Sequence, residues 1–102
     1  MSEAPVFIVI EVISVQDPDG LKTYAQRASQ LIGQLGGEIV AQGGAPIDGE
    51  LGFAPLVIQR WPSERAFRAW LDSDAYLPLN EIRLASATMR AAIVPSVDGA
   101  RR

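Results

Sequence analysis

The chain has 102 residues, of which 48% are hydrophobic and 21% charged, a composition typical of one globular domain. It contains neither cysteine nor histidine, which excludes disulfides, thiolate nucleophiles, Cys/His zinc sites and Ser-His-Asp triads. The net charge of −3 argues against nucleic acid as a partner, because phosphate binding needs a positive surface.

The first third of the chain predicts a β-strand followed by a long helix. Val6 to Val15 is apolar and β-branched, and its side chains alternate between two faces. Asp17 suits the N-cap of a helix and Pro18 its first position. Gly36-Gly37 is expected to end this helix, because glycine adopts the left-handed conformation of a C-terminal cap at low cost. The apolar stripe of the helix contains Leu21, Tyr24, Ala28, Leu31, Ile32 and Leu35.

The remainder predicts three more strands and a second helical region. Short strands are expected at Glu38 to Gln42, Leu56 to Trp61 and Met89 to Pro95, with a hairpin connection at Ala45 to Gly52. Pro62-Ser63 caps the second helix, Ser73-Asp74 restarts a helical turn, and Pro78 is expected to split this helical stretch in two. The order is βαββαβ. We therefore predict one α+β domain, 1–102, with a ferredoxin-like, four-stranded antiparallel sheet and two main helices on one face. Its ordered core should span about 6–97, with a loose tail at 98–102.

The first strand is apolar on both of its faces. Val6, Ile8, Ile10 and Val12 point one way, and Phe7, Val9, Glu11 and Ile13 point the other. Two helices can cover one face of the sheet, and a second copy of the chain, packed sheet against sheet, would cover the other. The sequence therefore predicts a homodimer. The alternative is an outer face that is simply somewhat apolar.

Several motifs, in order along the chain, resemble one bacterial family. They are Asp17 to Tyr24, Gly36-Gly37, Gly43-Gly44, Asp48-Gly49-Glu50, Trp61-Pro62-Ser63, Ala69 to Ser73, Tyr76 and Arg83. Together they resemble the domain-of-unknown-function family numbered thirteen-thirty, from about Phe7 to Val97. The resemblance implies a subunit of a dimeric α/β barrel. Relatives in that superfamily include cofactor-free monooxygenases, muconolactone isomerases and small decarboxylating or dehydrating enzymes.

Glu11 is the first candidate for chemistry, because it is an acid within an apolar strand. Partial desolvation would raise the pKa of its carboxyl and make it a possible general base. The alternative is an ion pair with Arg90 or Arg60 on a neighbouring strand.

Arg83, Tyr76 and Ser73 form a second candidate group after the second helix. An arginine near a tyrosine hydroxyl can bind a carboxylate or enolate oxygen, and Arg90 is an alternative anion stabiliser. The competing interpretation is structural: Ser73 caps a turn, Tyr76 packs, and Arg83 pairs with a carboxylate such as Asp72.

Tyr24 and Trp70 could line a ligand pocket, although aromatic residues at helical spacing are more often part of the core. Two classes of function remain open. One is a dimer that binds a small molecule or serves a structural role. The other is a cofactor-free enzyme with Glu11 as base and Arg83 or Arg90 as anion stabiliser. Neither a cofactor nor a metal is predicted. The longest apolar run is too short to span a membrane, and a cytoplasmic protein is expected.

Overall fold

The computed structural model describes residues 4–49 and 54–97, and these form a four-stranded sheet with three helices. The predicted α+β class and βαββαβ order are confirmed, with the second helical region divided in two. The elements are β1 (Val6–Val15), α1 (Pro18–Gln34), β2 (Glu38–Gly43), β3 (Leu56–Trp61), α2 (Glu64–Leu71), α3 (Leu77–Ser86) and β4 (Ala87–Pro95).

The sheet is antiparallel with strand order β2-β3-β1-β4. β1 and β3 are therefore the central strands, and Val9 of β1 lies opposite Ile58 of β3. Register shifts occur between Val12 and Ser14 in β1 and between Ile39 and Ala41 in β2. Side chains of paired residues share a face, so the register assigns each strand position to one of two sheet faces.

The residues that start and end α1 are the ones predicted. The Asp17 side chain accepts a hydrogen bond from the Gly20 backbone N–H at 3.0 Å, and Pro18 occupies the first turn. At the other end Gly36 has a φ of 94°, and the Gly37 N–H bonds to the carbonyl of Ile32 at 2.9 Å. This is a Schellman-type ending, in which glycine supplies the left-handed residue.

Three predicted boundaries were wrong. The helical stretch is divided in two, but the break falls at 72–76 and not at Pro78, which lies at the start of α3, where its missing N–H leaves no helical hydrogen bond unmade. β4 begins at Ala87 rather than Met89, because Ala87 and Thr88 pair with Val15 and Ser14. β2 extends by one residue to Gly43, which pairs with Leu56.

All three helices pack on one face of the sheet, which we call the inner face. The core joins Val6, Ile8 and Trp61 of this face to Ala28 and Ile32 of α1 and to Phe67, Trp70, Tyr76 and Leu79. Ile10 and Ile93 pack against this core. We call the opposite side, which carries Phe7, Val9, Leu56, Ile58, Ala92 and Val94, the outer face. None of its residues belongs to the core.

Two predicted segments lie partly or wholly outside the described residues. Glu50, Leu51 and Gly52 of the expected hairpin connection fall there, as do all of the expected tail residues, 98–102. Within the described part of that connection, Gly49 has a φ of 99°. No helix in 4–49 or 54–97 combines the length and apolar character needed to cross a membrane.

Candidate functional site

A cavity of about 640 Å³ lies between the inner face of the sheet and the helices. We call it the helix–sheet cavity. The strands contribute aliphatic side chains, including Ile8, Ile10, Val12 and Val57. The helices contribute Tyr24, Trp70, Asn80 and Arg83, and the turn before α3 contributes Tyr76. Its size falls within the roughly 300–1,000 Å³ range of small-molecule sites, which are also mostly apolar with a few convergent polar groups.

Aromatic rings form one wall of the cavity. Trp70 of α2 contacts Tyr76 with ring centroids 4.3 Å apart, and it contacts Trp61 at 5.6 Å and Phe67 at 6.0 Å. Tyr24 meets Tyr76 edge to face at 6.4 Å. These tilted contacts are favourable for aromatic rings and hold the wall rigid. Trp70 and Tyr76 therefore pack in the core as predicted and also line the cavity.

The hydroxyls of Tyr24 and Tyr76 are hydrogen-bonded to each other at 3.1 Å. Burial raises the pKa of the Tyr24 hydroxyl well above its ordinary value, and the bond to Tyr76 raises it further. The nearby positive charge of Arg83 lowers that pKa, but the effect of burial is larger, so the net shift is upward. Tyr24 is therefore a neutral hydrogen-bonding group at physiological pH and not a proton acceptor.

Arg83 of α3 is half-buried and is held by Asn80, one turn earlier. Its Nε and Nη2 atoms both donate to Oδ1 of Asn80, at 3.1 and 2.8 Å. The partner is neutral, so the contact orients the guanidinium without cancelling its charge. Within residues 4–49 and 54–97, no carboxylate lies at ion-pair distance from Arg83; the predicted alternative pair with Asp72 does not form.

Gln59 of β3 is a lining residue that the sequence did not assign to the site. It is only 3% exposed, and its Oε1 accepts a hydrogen bond at 2.9 Å from Nε1 of Trp61, which is fully buried. Its polarity inside an apolar strand, at the same face as Val57 and Trp61, was the available signal. A buried amide at such a position needs a partner, and the partner is another buried side chain.

The structure brings together five of the predicted site residues at the helix–sheet cavity: Tyr24, Trp70, Tyr76, Arg83 and Arg90. Ser73 does not line it. Its hydroxyl donates to the backbone carbonyl of Trp70 at 2.7 Å, and its own carbonyl accepts from the Tyr76 N–H at 3.1 Å. Ser73 therefore shapes the turn between α2 and α3, close to the structural alternative considered for it.

Glu11 does not line the helix–sheet cavity, and Arg90 borders it only from the edge strand β4. They are opposite each other on β1 and β4, and Nε of Arg90 donates to Oε1 of Glu11 on the outer face. Glu11 borders a separate hollow of about 360 Å³ with Val9 and Leu56. The alternative interpretation of Glu11, an ion pair with Arg90, is the one observed, and the sheet separates this carboxylate from Arg83.

No group of three or more acidic side chains that could hold a metal occurs in the described residues. The polar groups at the cavity are instead amides, phenols and guanidinium groups. This arrangement can bind and orient an organic molecule by hydrogen bonds.

A family model described as Domain of unknown function (DUF1330) matches residues 5–97 of the chain. The chain belongs to the DUF1330 family. The resemblance stated from its motifs, over about Phe7 to Val97, is thereby confirmed. No protein of curated function is similar enough in sequence to match this DUF1330 domain significantly.

Solved structures share the fold of this DUF1330 domain. A protein of unknown function from Rhodopseudomonas palustris, RPA0582, is 20% identical, with a TM-score of 0.77 over 93% of this chain and 84% of that chain. SnoaB, a cofactor-independent oxygenase from Streptomyces nogalater, is 18% identical, with a TM-score of 0.69 over 91% and 93%. An Arabidopsis thaliana protein, AT3G17210, is 14% identical, with a TM-score of 0.67 over 94% and 91%. At these identities the likeness concerns the fold, which is ferredoxin-like.

Proposed function

We propose that this protein is a homodimer that binds a small, largely apolar organic molecule in the helix–sheet cavity. The observation that carries the proposal is the cavity itself, which has a volume of about 640 Å³, is partly open to solvent and is lined by aliphatic strand residues and aromatic side chains. The space beneath the helices is concave, mostly apolar and partly open to solvent, so a small molecule can enter it and bury apolar surface there.

The polar groups at the cavity support binding and orientation of such a molecule. These groups come from different elements but line one apolar space: Gln59 lies on β3, Arg83 on α3, Tyr24 on α1 and Tyr76 in the turn before α3. Each is fixed by a hydrogen bond to another side chain before any ligand arrives. Such preorganisation reduces the entropic cost of binding.

Binding is favoured over carboxylate-catalysed chemistry as the function. The fold is shared with an oxygenase described as cofactor-independent, so an enzymatic function is the alternative to binding alone. However, neither aspartate nor glutamate occurs among the described residues that line the cavity. Glu11 was considered as base with Arg83 or Arg90 as anion stabiliser; Arg83 lies on the other side of the sheet from Glu11, and Arg90 forms an ion pair with Glu11 itself.

The outer face supports the dimer. Phe7, Val9, Leu56 and Ile58 occupy the two central strands, and Val94 at the edge is 43% exposed. The described helices all lie on the inner face, so a second copy packed face to face would bury these side chains. The Glu11–Arg90 and Glu38–Arg60 pairs, the latter at 3.9 Å, would lie within or at the border of that contact.

Titration with N-phenyl-1-naphthylamine, a neutral apolar fluorophore, tests the binding proposal. Wild-type protein should bind it, and Ala25→Phe, which places a ring at a lining position, should weaken the affinity at least tenfold. Gln26→Phe is the matched control, because its neighbouring position on α1 is exposed and does not line the cavity. Equal affinities in the two variants, or no binding to the wild type, would contradict the proposal.

Sedimentation velocity at tens of micromolar tests the dimer. The wild type should sediment as a dimer, and Ile58→Lys, at the centre of the outer face, should sediment as a monomer with an unchanged circular dichroism spectrum. Leu84→Lys adds the same charge at an exposed position on α3 and should remain dimeric. A monomeric wild type would remove the partner proposed for the outer face.

A further inference from the structure

The hydrogen bond between Trp61 and Gln59 decides which atoms of Gln59 remain for a ligand. An indole N–H can only donate, so the amide atom 2.9 Å from it must be the carbonyl oxygen Oε1. This fixes the orientation of the amide, whose oxygen and nitrogen are otherwise hard to tell apart. Gln59 can therefore offer the cavity the two donors of its nitrogen Nε2, beside the one lone pair that remains on Oε1.

The contact between Arg83 and Asn80 has the same consequence. Two N–H groups of Arg83 converge on Oδ1 of Asn80, so the acceptor of this amide is occupied by a neighbour that only donates. The groups left are Nδ2 of Asn80 and the other N–H groups of the guanidinium. A guanidinium has five donors and uses two here.

The tyrosine pair adds one more donor. Whichever hydroxyl donates across the 3.1 Å bond, the other keeps a proton that can be given to a third group. Trp70 shows the same surplus of donors, because its buried Nε1 has no hydrogen-bond partner within the described residues. Ser29 and Gln42 could accept hydrogen bonds, but both are exposed at the margin of the cavity.

The electrostatic character of the cavity is also one-sided. Arg83 and Arg90 are the cationic residues among the described lining, and no acidic residue accompanies them there. Arg90 is neutralised by Glu11, whereas Arg83 has only the neutral Asn80. One half-buried, uncompensated positive charge therefore faces a mostly apolar space.

On the basis of the binding function proposed above, we propose that the helix–sheet cavity selects apolar organic monoanions. The ligand would place an oxyanion, such as a carboxylate, on Arg83 and the donors of Gln59 and the tyrosine pair, with its hydrocarbon body against the aliphatic strands. A guanidinium matches a carboxylate in geometry and charge. A ligand that can only donate would leave these groups unpaired, and a cation would be repelled.

Isothermal titration with three probes of one shape tests this selectivity. The probes are 2-naphthoate, neutral 2-naphthamide and the cation 2-naphthylmethylammonium, all at pH 7.5 and moderate salt. We expect 2-naphthoate to bind at least tenfold more tightly than 2-naphthamide, and the cation to show no detectable binding. Equal affinity for naphthoate and naphthamide would overturn the inference.

Two variants assign the selectivity to named groups. Arg83→Met keeps an apolar stem and should weaken naphthoate at least tenfold while leaving naphthamide within about threefold. Arg27→Met is the control, since it removes the same charge from an exposed position of α1 outside the cavity lining. Equal losses of naphthoate affinity in both variants would show a general charge effect and refute the assignment.

Gln59→Glu provides a second readout that does not depend on Arg83. It keeps an oxygen acceptor for Trp61 and replaces the donor nitrogen with a second oxygen, so naphthoate binding should be lost. Retained binding in this variant, with unfolding midpoints near the wild type, would overturn the role of Gln59. Binding of N-phenyl-1-naphthylamine separates the two proposals. If it binds but 2-naphthoate binds no more tightly than 2-naphthamide, only the proposed selectivity fails. If none of the probes binds, both proposals fail.

Discussion

Gly37, between α1 and β2, lies where the chain passes directly over a buried indole. A Cβ atom added there would be 2.7 Å from Cε2 of Trp61 and 2.8 Å from Cγ2 of Ile32. Both neighbours are in the core, and Trp61 is fully buried, so neither can move aside freely. Overpacking of this kind costs about 1–3 kcal/mol. We therefore expect Gly37→Ala to lower the free energy of unfolding by about that amount.

Gly33 gives a matched control for this change. It lies in the last turn of α1, and a Cβ added there would have no neighbouring heavy atom within 4 Å. Gly33→Ala should raise the free energy of unfolding by up to about 1 kcal/mol, because alanine loses less backbone entropy in a helix. Adding a methyl group at Gly33 and at Gly37, which are four residues apart, should therefore change the free energy of unfolding in opposite directions.

Urea unfolding followed by circular dichroism, at one fixed protein concentration, measures both effects. The Gly37→Ala variant should also bind 2-naphthoate less tightly, because displacing Trp61 disturbs the indole N–H that holds Gln59. A Gly37→Ala variant that unfolds at the same or higher urea concentration than the wild type would refute the argument. So would a Gly33→Ala variant that is destabilised as much as Gly37→Ala.

Two further expectations concern stability. Burial raises the pKa of Tyr24 above its ordinary value of 10.0, so the unfolded chain loses this proton first and stability falls as pH rises above about 10. Urea titrations from pH 8 to 11 should show the free energy of unfolding falling by up to about 1.4 kcal/mol per pH unit. This loss should be absent in Tyr24→Phe, and an equal dependence of stability on pH in the two proteins would contradict the prediction. Ser63→Ala removes the side chain that accepts the Ala66 N–H at 3.0 Å and should cost α2 about 1 kcal/mol in the same assay, whereas Ser63→Thr, which keeps the hydroxyl, should lose less.

The sequence predicted the elements whose signals are local. β1 and β3 have the predicted bounds, and α1 has the predicted caps, because alternation, an Asp-Pro start and a Gly-Gly end act within a few residues. Pro78 was misjudged because the same residue can break a helix or begin one, and the choice depends on where the preceding turn lies. That turn is fixed by the burial of Tyr76 against Trp70, which is a tertiary contact.

The candidate site was predictable only in part, for a related reason. Helical spacing placed Tyr24 and Trp70 on apolar stripes, and both line the cavity. Alternation along β1 also placed Glu11 on the face opposite Ile8 and Ile10. What the sequence did not show is which face the helices cover, since both faces of β1 are apolar. The bond from Trp61 to Gln59 was not predicted either, because the polarity of Gln59 in an apolar strand indicates that it needs a partner but not which residue supplies it.

The position of the cavity is explained by how burial changes along β1. Val6 and Ile8 are in the core beside Trp61, whereas Ile10 and Val12 are only half-buried, although all four lie on the inner face. The aromatic cluster fills the space under the helices near Val6 and Ile8, whereas Ile10 and Val12 face the cavity. Trp61 connects the two regions, since its ring packs in the core and its N–H donates to the lining residue Gln59. The core and the proposed binding site are thus joined through Trp61, and changes that loosen this ring should alter both stability and the proposed selectivity.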